Sequence, residues 1–369
     1  MFKSTKRMPS EFLDRLTEDV GGDNNAYTEN DRTVYHEVVP SNHLERLLWA
    51  EAERMASLTV DEQNFKTERD VVKEEFRQSV LSQPYGEFGE FIQKKSFVEH
   101  PYKRPTIGNI AELDAASIED VRAFHSTFYR PDNATLIVAG DFDPAAVQKW
   151  INQYFAPIAK PDSPIPRVTK KEPERQVERT IREYDQKVPF PAIAATFLGP
   201  AIKSPDRAAW EVLEAVLSHG ESSRLYRSLV YEKQLAQSAE FGVDLREDIG
   251  LPTFEVILAS KVPVAKARQA LLDEIKKIAE KPITERELTT AKNQLLSEKL
   301  HARETANGKA NALGMAAVML GDPNRVNTEL EELKAVTIEQ VQAAAAACFT
   351  PKNELVIEYL PASMKGKTK

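Results

Sequence analysis

Part of this chain repeats itself, and the repeat constrains the fold more than any single motif does. Residues 113–138 read LDAASIEDVRAFHSTFYRPDNATLIV, and residues 333–357 read LKAVTIEQVQAAAAACFTPKNELVI. Without a gap, Ile118, Glu119, Val121, Pro131 and Asn133 fall on Ile338, Glu339, Val341, Pro351 and Asn353, a constant offset of 220 residues. Each copy reads as a helix capped by Ser117 or Thr337, a Pro-x-Asn turn, and an apolar strand. A shared order of cap, helix, turn and strand is the mark of a duplication.

Between the copies, residues 160–176 hold Pro161, Pro164, Pro166 and Pro173 among charged residues, without helical periodicity. That pattern predicts an extended linker. It divides the chain into domains at 1–159 and 177–361, with a tail at 362–369. In the second domain, strands are expected at 177–184 and 192–198, and a strand pair at 238–245 and 253–260. Helices are expected at 206–217, 222–236, 264–280 and 284–303. The first domain shows a strand at 26–39, a helix at 44–57 and a long helix at 60–81, and looks short at its front. Leu44, Leu47, Leu48, Met55 and Leu58 recur at helical spacing and form a core face. Hairpin-like strand pairs favour an α+β fold, with two homologous domains of mixed or antiparallel sheet and packed helices, over a doubly wound parallel sheet.

With 369 residues, 41% of them hydrophobic, the chain can bury a sizeable core. A net charge of −8 argues against a nucleic-acid surface. No apolar run reaches the roughly 18 to 20 residues of a membrane span. The single cysteine, Cys348, forbids an internal disulfide and a thiolate cluster, and reads as a buried, inert thiol. Residues 1–8 carry no signal-peptide core.

Glu68 and Glu75, seven residues apart in ERDVVKEE, project from one face of the predicted helix. Two aligned acids could join a metal site, but zinc in a catalytic centre usually takes three protein ligands, with histidine or cysteine among them. On spacing alone, a solvated helix face is the preferred reading.

Four stretches occur in order: GGDNNAYTENDRTVY (21–35), ERDVVKEE (68–75), HPYKRPTIGN (100–109) and YRPDNATLIVAGDFD (129–143). With them the chain resembles the pitrilysin/insulinase family of zinc peptidases, which includes mitochondrial processing peptidases and half-size bacterial members. The resemblance implies two related α+β domains, in agreement with the repeat. It also implies an inverted zincin motif, His-x-x-Glu-His, with a distal glutamate as third ligand. By motif match Glu75 is that ligand and Glu68 the acid that orients a ligating histidine. The glutamate between the histidines would be the general base on a zinc-bound water. Asn25, Ala26, Tyr27 and Thr28 match the family's edge strand, onto which peptide substrate adds as a further strand. His100, Pro101, Tyr102 and Gly108 are expected to shape a loop, and His36 to be an ordinary strand residue.

The departures matter as much. The six histidines, His36, His43, His100, His125, His219 and His301, form no His-x-x-Glu-His. The family interval counted back from Glu75 places that motif immediately before Met1, so the chain is expected to be truncated there and to hold no tight zinc by itself. An arginine–tyrosine pair that grips the substrate carbonyl in relatives falls here on Val230 and Gln237, while Arg224 and Tyr231 share its spacing out of register. The expected function is a zinc metalloendopeptidase acting on peptides, inactive as it stands. The alternative is a non-catalytic partner or structural subunit. A homologous partner subunit or a homodimer, no nucleic acid, no membrane, and a periplasmic or else cytoplasmic location complete the expectation.

Overall fold

The computed structural model describes residues 3–366. In chain order the first half contributes α1 (Phe12–Glu18), β1 (Asp23–Thr28), β2 (Thr33–Val38), α2 (Leu44–Ser57), α3 (Glu62–Phe76), α4 (Gly86–Ser96), α5 (Ile110–Ala115), α6 (Ile118–Phe128) and α7 (Pro144–Tyr154). The second contributes β3 (Arg179–Asp185), β4 (Ala192–Thr196), α8 (Arg207–Ser218), β5 (Ala236–Asp244), β6 (Leu251–Leu258), α9 (Val264–Glu280), α10 (Glu285–Ala302), α11 (Ala306–Met319), α12 (Arg325–Ala335), α13 (Ile338–Cys348) and β7 (Leu355–Pro361). The fold is α+β.

The duplication runs well beyond the stretch legible in the sequence. The starts of α2 and α9, of α4 and α11, and of α6 and α13 are each 220 residues apart, as are the single turns Pro131–Asn133 and Pro351–Asn353. Both repeat helices carry the expected caps. Ser117 and Asp120 close a capping box on α6, and Thr337 and Gln340 close one on α13.

The chain forms two compact units that interleave its sequence. One comprises residues up to Arg77, Thr106–Thr169 and Ala302–Val318; the other comprises Gln78–Pro105, Lys170–His301 and the residues from Met319 on. Thus α4 belongs to the second unit and its repeat counterpart α11 largely to the first.

The second unit is built on a five-stranded sheet ordered β3-β7-β4-β6-β5, with β3 parallel to β7 and the other neighbours antiparallel. Ile193, Ala195, Phe197, Phe254, Val256 and Leu258 line one face, in one buried cluster with Leu213 and Leu217 of α8, Leu271 and Ile275 of α9, and Val341 of α13. The other face presents Ala192, Ala194, Ile357 and Tyr359 to Phe88 and Ile92 of α4, with Phe97 and Tyr102 beyond. Covered on both faces, β4 has no exposed residue, which explains its unbroken apolar run.

The first unit has the two-stranded sheet of β1 and β2, with a small core of Met8, Leu13, Leu16, Leu47 and Ala50. Gly22 is required where it stands, since a Cβ there would meet Val38 O at 2.0 Å.

Several expected elements differ in detail. The strand expected at 26–39 is a hairpin, because Glu29 to Arg32 turn back and the Glu29 amide bonds Arg32 O at 2.9 Å. The long helix at 60–81 ends as α-helix at Phe76 and continues as one wider π-turn, Arg77–Leu81. In place of the helix at 222–236 stands the π-helix Tyr226–Glu232. The apolar strand expected after Pro131 is no strand: Ala134 is extended, but 134–138 has no ladder partner among the described residues. Its counterpart β7 is a strand because β3 and β4 flank it.

Candidate functional site

Asp61 starts α3 by accepting from the Asn64 amide at 2.8 Å. The chain's first described residues run alongside this helix. Ser4 O accepts from the Thr59 amide at 2.9 Å, Asn64 Nδ2 donates to Ser4 Oγ at 3.2 Å, and Lys3 Nζ lies 3.2 Å from Glu68 Oε1. Farther along, Lys73 pairs with Asp114 of α5 at 2.7 Å. Glu75 is exposed and Glu68 half-buried. The helix packs chiefly on α5, whereas β1 packs chiefly on β2 and α1. Among the described residues no group of three histidines, cysteines or acids is placed to hold a metal. These residues therefore do not form a zinc site among themselves.

The repeat gives that helix face its meaning. At the offset of 220, Glu68, Val71 and Glu75 correspond to Leu288, Ala291 and Leu295 of α10. Those three are 7%, 2% and 7% exposed, in the core of the second unit, whereas Val71 is 54% exposed. One copy uses this face for packing; the other carries carboxylates in place of both leucines, with Lys3 paired to Glu68.

β1 is an edge strand whose outward groups can be identified. Glu29 and Arg32 form a bonded pair, and bonded and non-bonded pairs alternate along an antiparallel ladder. Tyr27, Asn25 and Asp23 therefore bond Val34, His36 and Val38 of β2, while Thr28, Ala26 and Asn24 turn their amides and carbonyls outward. The Ala26 amide agrees, donating to Asn25 Oδ1 at 2.8 Å rather than to β2. Tyr27 stands partly exposed, with the Arg32 guanidinium 5.8 Å from its ring centre and Asn311 Oδ1 3.4 Å from its hydroxyl.

His100 is buried, its Nδ1 accepting from the Tyr102 amide and its Nε2 lying 3.1 Å from Asp248 Oδ2. It shapes its loop. Gly108 takes φ +74°, a turn conformation. Val230 packs against the main core, and Gln237 Nε2 donates to Leu258 O at 2.9 Å. Arg224 is held by Glu287 at 2.6 Å, while Tyr231 is exposed.

A polar cluster in the first unit escaped the sequence reading. Arg54 bridges Glu37, at 2.9 Å, and Glu51, and lies over the Tyr35 ring; Tyr35 Oη meets Tyr129 Oη at 3.0 Å, and His125 stacks on Tyr129. Burial, with the neighbouring Glu51 carboxylate, pushes Glu37 up to about 8, and burial lowers the His125 pKa. The repeat held the signal: Tyr129 and His125 stand where the other copy has Phe349 and Ala345.

Comparison with known proteins decides the family. The description Insulinase (Peptidase family M16) matches residues 1–110, and Peptidase M16 inactive domain matches residues 115–295. The chain belongs to the M16, or insulinase/pitrilysin, peptidase family. Zinc protease PqqE of Helicobacter pylori is 32% identical over 297 residues, covering 79% of this M16 chain and 66% of that relative, just under two thirds of its length. An uncharacterized zinc protease of Bacillus subtilis, YmxG, is 24% identical over 96% of this chain and 85% of its own. Among solved structures, a protease from Helicobacter pylori superposes with a TM-score of 0.91 at 26% identity, covering 98% of this chain and 86% of that one. The first half of the Escherichia coli periplasmic protease PqqL superposes at 0.75 and 18% identity, covering 98% and 81%, a likeness of fold.

Proposed function

We propose that this M16 chain contributes a peptide-holding edge and the acidic half of a zinc centre to a pitrilysin-type metalloendopeptidase. The observation that supports the reading is the face of α3, where Glu68 and Glu75 replace the buried Leu288 and Leu295 of the other copy. A surface that the fold otherwise gives to packing has been given to charge. In this reading Glu75 is the third zinc ligand. Glu68 orients a ligating imidazole by accepting its second N–H. The imidazoles have to be contributed by residues other than these, and no hydrolytic step follows from the present side chains alone.

The substrate is an extended peptide laid along β1. The outward groups of Asn24, Ala26 and Thr28 supply main-chain hydrogen bonds, which tolerate many sequences, and Asn25 and Tyr27 flank the added strand. A homologous partner subunit, or a second copy of the chain, completes the assembly, and the location is periplasmic.

A second reading, a non-catalytic subunit of such an assembly, is favoured by Val230 and Gln237, which lack the charged donor and the phenol of the arginine–tyrosine pair. One experiment separates the two. Zinc content and hydrolysis of an unstructured quenched peptide are measured for the chain alone and with a polypeptide that supplies His-x-x-Glu-His. In the peptidase reading, activity appears in the mixture and falls roughly 10- to 100-fold with Glu68→Gln. In the subunit reading, Glu68→Gln and Glu75→Gln leave the mixture unchanged. Full-rate hydrolysis by the chain alone sinks both.

A further inference from the structure

The duplication places a second strand edge in the molecule, and that edge is closed. β2 lies at the repeat position of β6, so the hairpin of β5 and β6 is the counterpart of β1 and β2; β5 is one of the two outer strands of its sheet, as β1 is of its pair. Register identifies the outward groups of β5. Val243 pairs with Pro252, which has no amide to give, and two residues back Phe241 pairs with Phe254. By alternation both are non-bonded pairs, whose main-chain groups on β5 turn away from β6.

These outward amides are taken by one helix. The Phe241 amide donates to Ser218 Oγ, and the Val243 amide faces the Glu214 carboxylate. Ser218 and Glu214 are four residues apart on α8, a rise of about 6 Å, and their partners are two apart on β5, about 6.8 Å. The two spacings match, so α8 covers both donors in parallel. On β1 the outward Ala26 amide has only the side chain of its own neighbour, Asn25.

We infer that Glu214 and Ser218 are a plug on the β5 edge, and that they direct an incoming extended peptide to β1 rather than to β5, its counterpart in the repeat. The inference rests on the strand-addition reading of β1 given above. An unplugged β5 would offer a second row of outward amides and carbonyls, and a long peptide could pair with the wrong unit. Covering an edge strand with a helix is a known means of refusing strand addition. Glu214 is half-buried, and burial pushes its carboxyl up to about 7, so holding it at this edge carries a cost that packing alone does not require.

Amide hydrogen exchange on the full chain reads each edge separately, with and without a soluble peptide of alternating threonine and lysine. In the unaltered protein the peptide slows exchange at Asn24, Ala26 and Thr28 and leaves Phe241 and Val243 as they were. In Glu214→Ala/Ser218→Ala, Phe241 and Val243 exchange at least about tenfold faster without peptide and are slowed when it is added. Glu214→Gln keeps an acceptor at the same place and keeps the edge closed; Ser218→Ala alone frees Phe241 and spares Val243, which guards against misreading a general loss of structure. Peptide protection of Phe241 and Val243 in the unaltered protein overturns the plug. So does unchanged exchange at both amides in the double variant. If the peptide slows nothing on β1, the strand-addition reading fails, while the peptide-free comparison still decides whether α8 closes β5.

Discussion

Ala26 and Tyr27 are neighbours on one strand, yet proline should act on them in opposite ways. The Ala26 amide points away from β2, so Ala26→Pro removes a donor that the hairpin does not use, and edge strands accept proline on their outer side. The Tyr27 amide lies on the bonded side opposite Val34, and Tyr27→Pro breaks the ladder. Ala26→Pro is therefore expected to weaken extended-peptide binding at least about tenfold, the worth of a hydrogen bond near 1.4 kcal/mol, with the thermal midpoint nearly unchanged. Tyr27→Pro is expected to lower the midpoint itself. Titration calorimetry beside thermal denaturation checks both. Equal affinity in Ala26→Pro and the parent would remove β1 from peptide binding.

At the scale of elements, the sequence told most where local chemistry decides. Ser117 and Thr337 announced the starts of α6 and α13 because a capping box is written within four residues. The strand at 134–138 was misread because a strand is a relation to a partner. The same apolar pattern forms β7 when β3 and β4 lie beside it and forms none without them. The hairpin within 26–39 was hidden by strand-like residues on both sides of Glu29 to Arg32. The motif of Glu68 and Glu75 was legible, but its surroundings were not, since the leucines that give the face its meaning lie 220 residues away.

The linker teaches the same lesson. Its prolines predicted extension, whereas its fixed points depend on distant side chains. Arg130 holds Pro161 O at 2.7 Å and Ser163 O at 2.8 Å. Glu172 accepts from the amides of Val98, Glu99 and His100 at 2.7 to 2.9 Å, and Arg175 is buried on Ser96 O, Thr196 O and Asn353 O. Only 164–171 is left between these anchors. Trypsin is expected to cut at Arg167, Lys170 and Lys171 well before Arg175, and Glu172→Ala is expected to bring the Arg175 cut forward, as mass spectrometry of a digestion series would record. Early cleavage at Arg175 in the parent would show that the anchors do not hold.

For the whole molecule, the interleaving of the two units decides what can fold alone. A division at the linker looks natural in the sequence, but it separates α4 from the sheet face that α4 covers. Phe88, Ile92, Phe97 and Tyr102 are all nearly fully buried against Ala192, Ala194, Ile357 and Tyr359. At about 1.5 to 3 kcal/mol for each large apolar side chain, their burial is worth roughly 6 to 12 kcal/mol before entropy. That is comparable to the entire net stability of a domain, about 5 to 15 kcal/mol. A polypeptide of residues 177–369 is thus expected to aggregate or melt without cooperativity, although it contains every strand of the five-stranded sheet. Adding residues 78–105 as a separate peptide should restore a sharp transition, and the same peptide with Phe88→Ala and Ile92→Ala should not. Calorimetry on the three mixtures tests this. A cooperative melt from residues 177–369 alone would mean that α4 is an accessory to the second unit, and that the duplication preserved two self-sufficient domains.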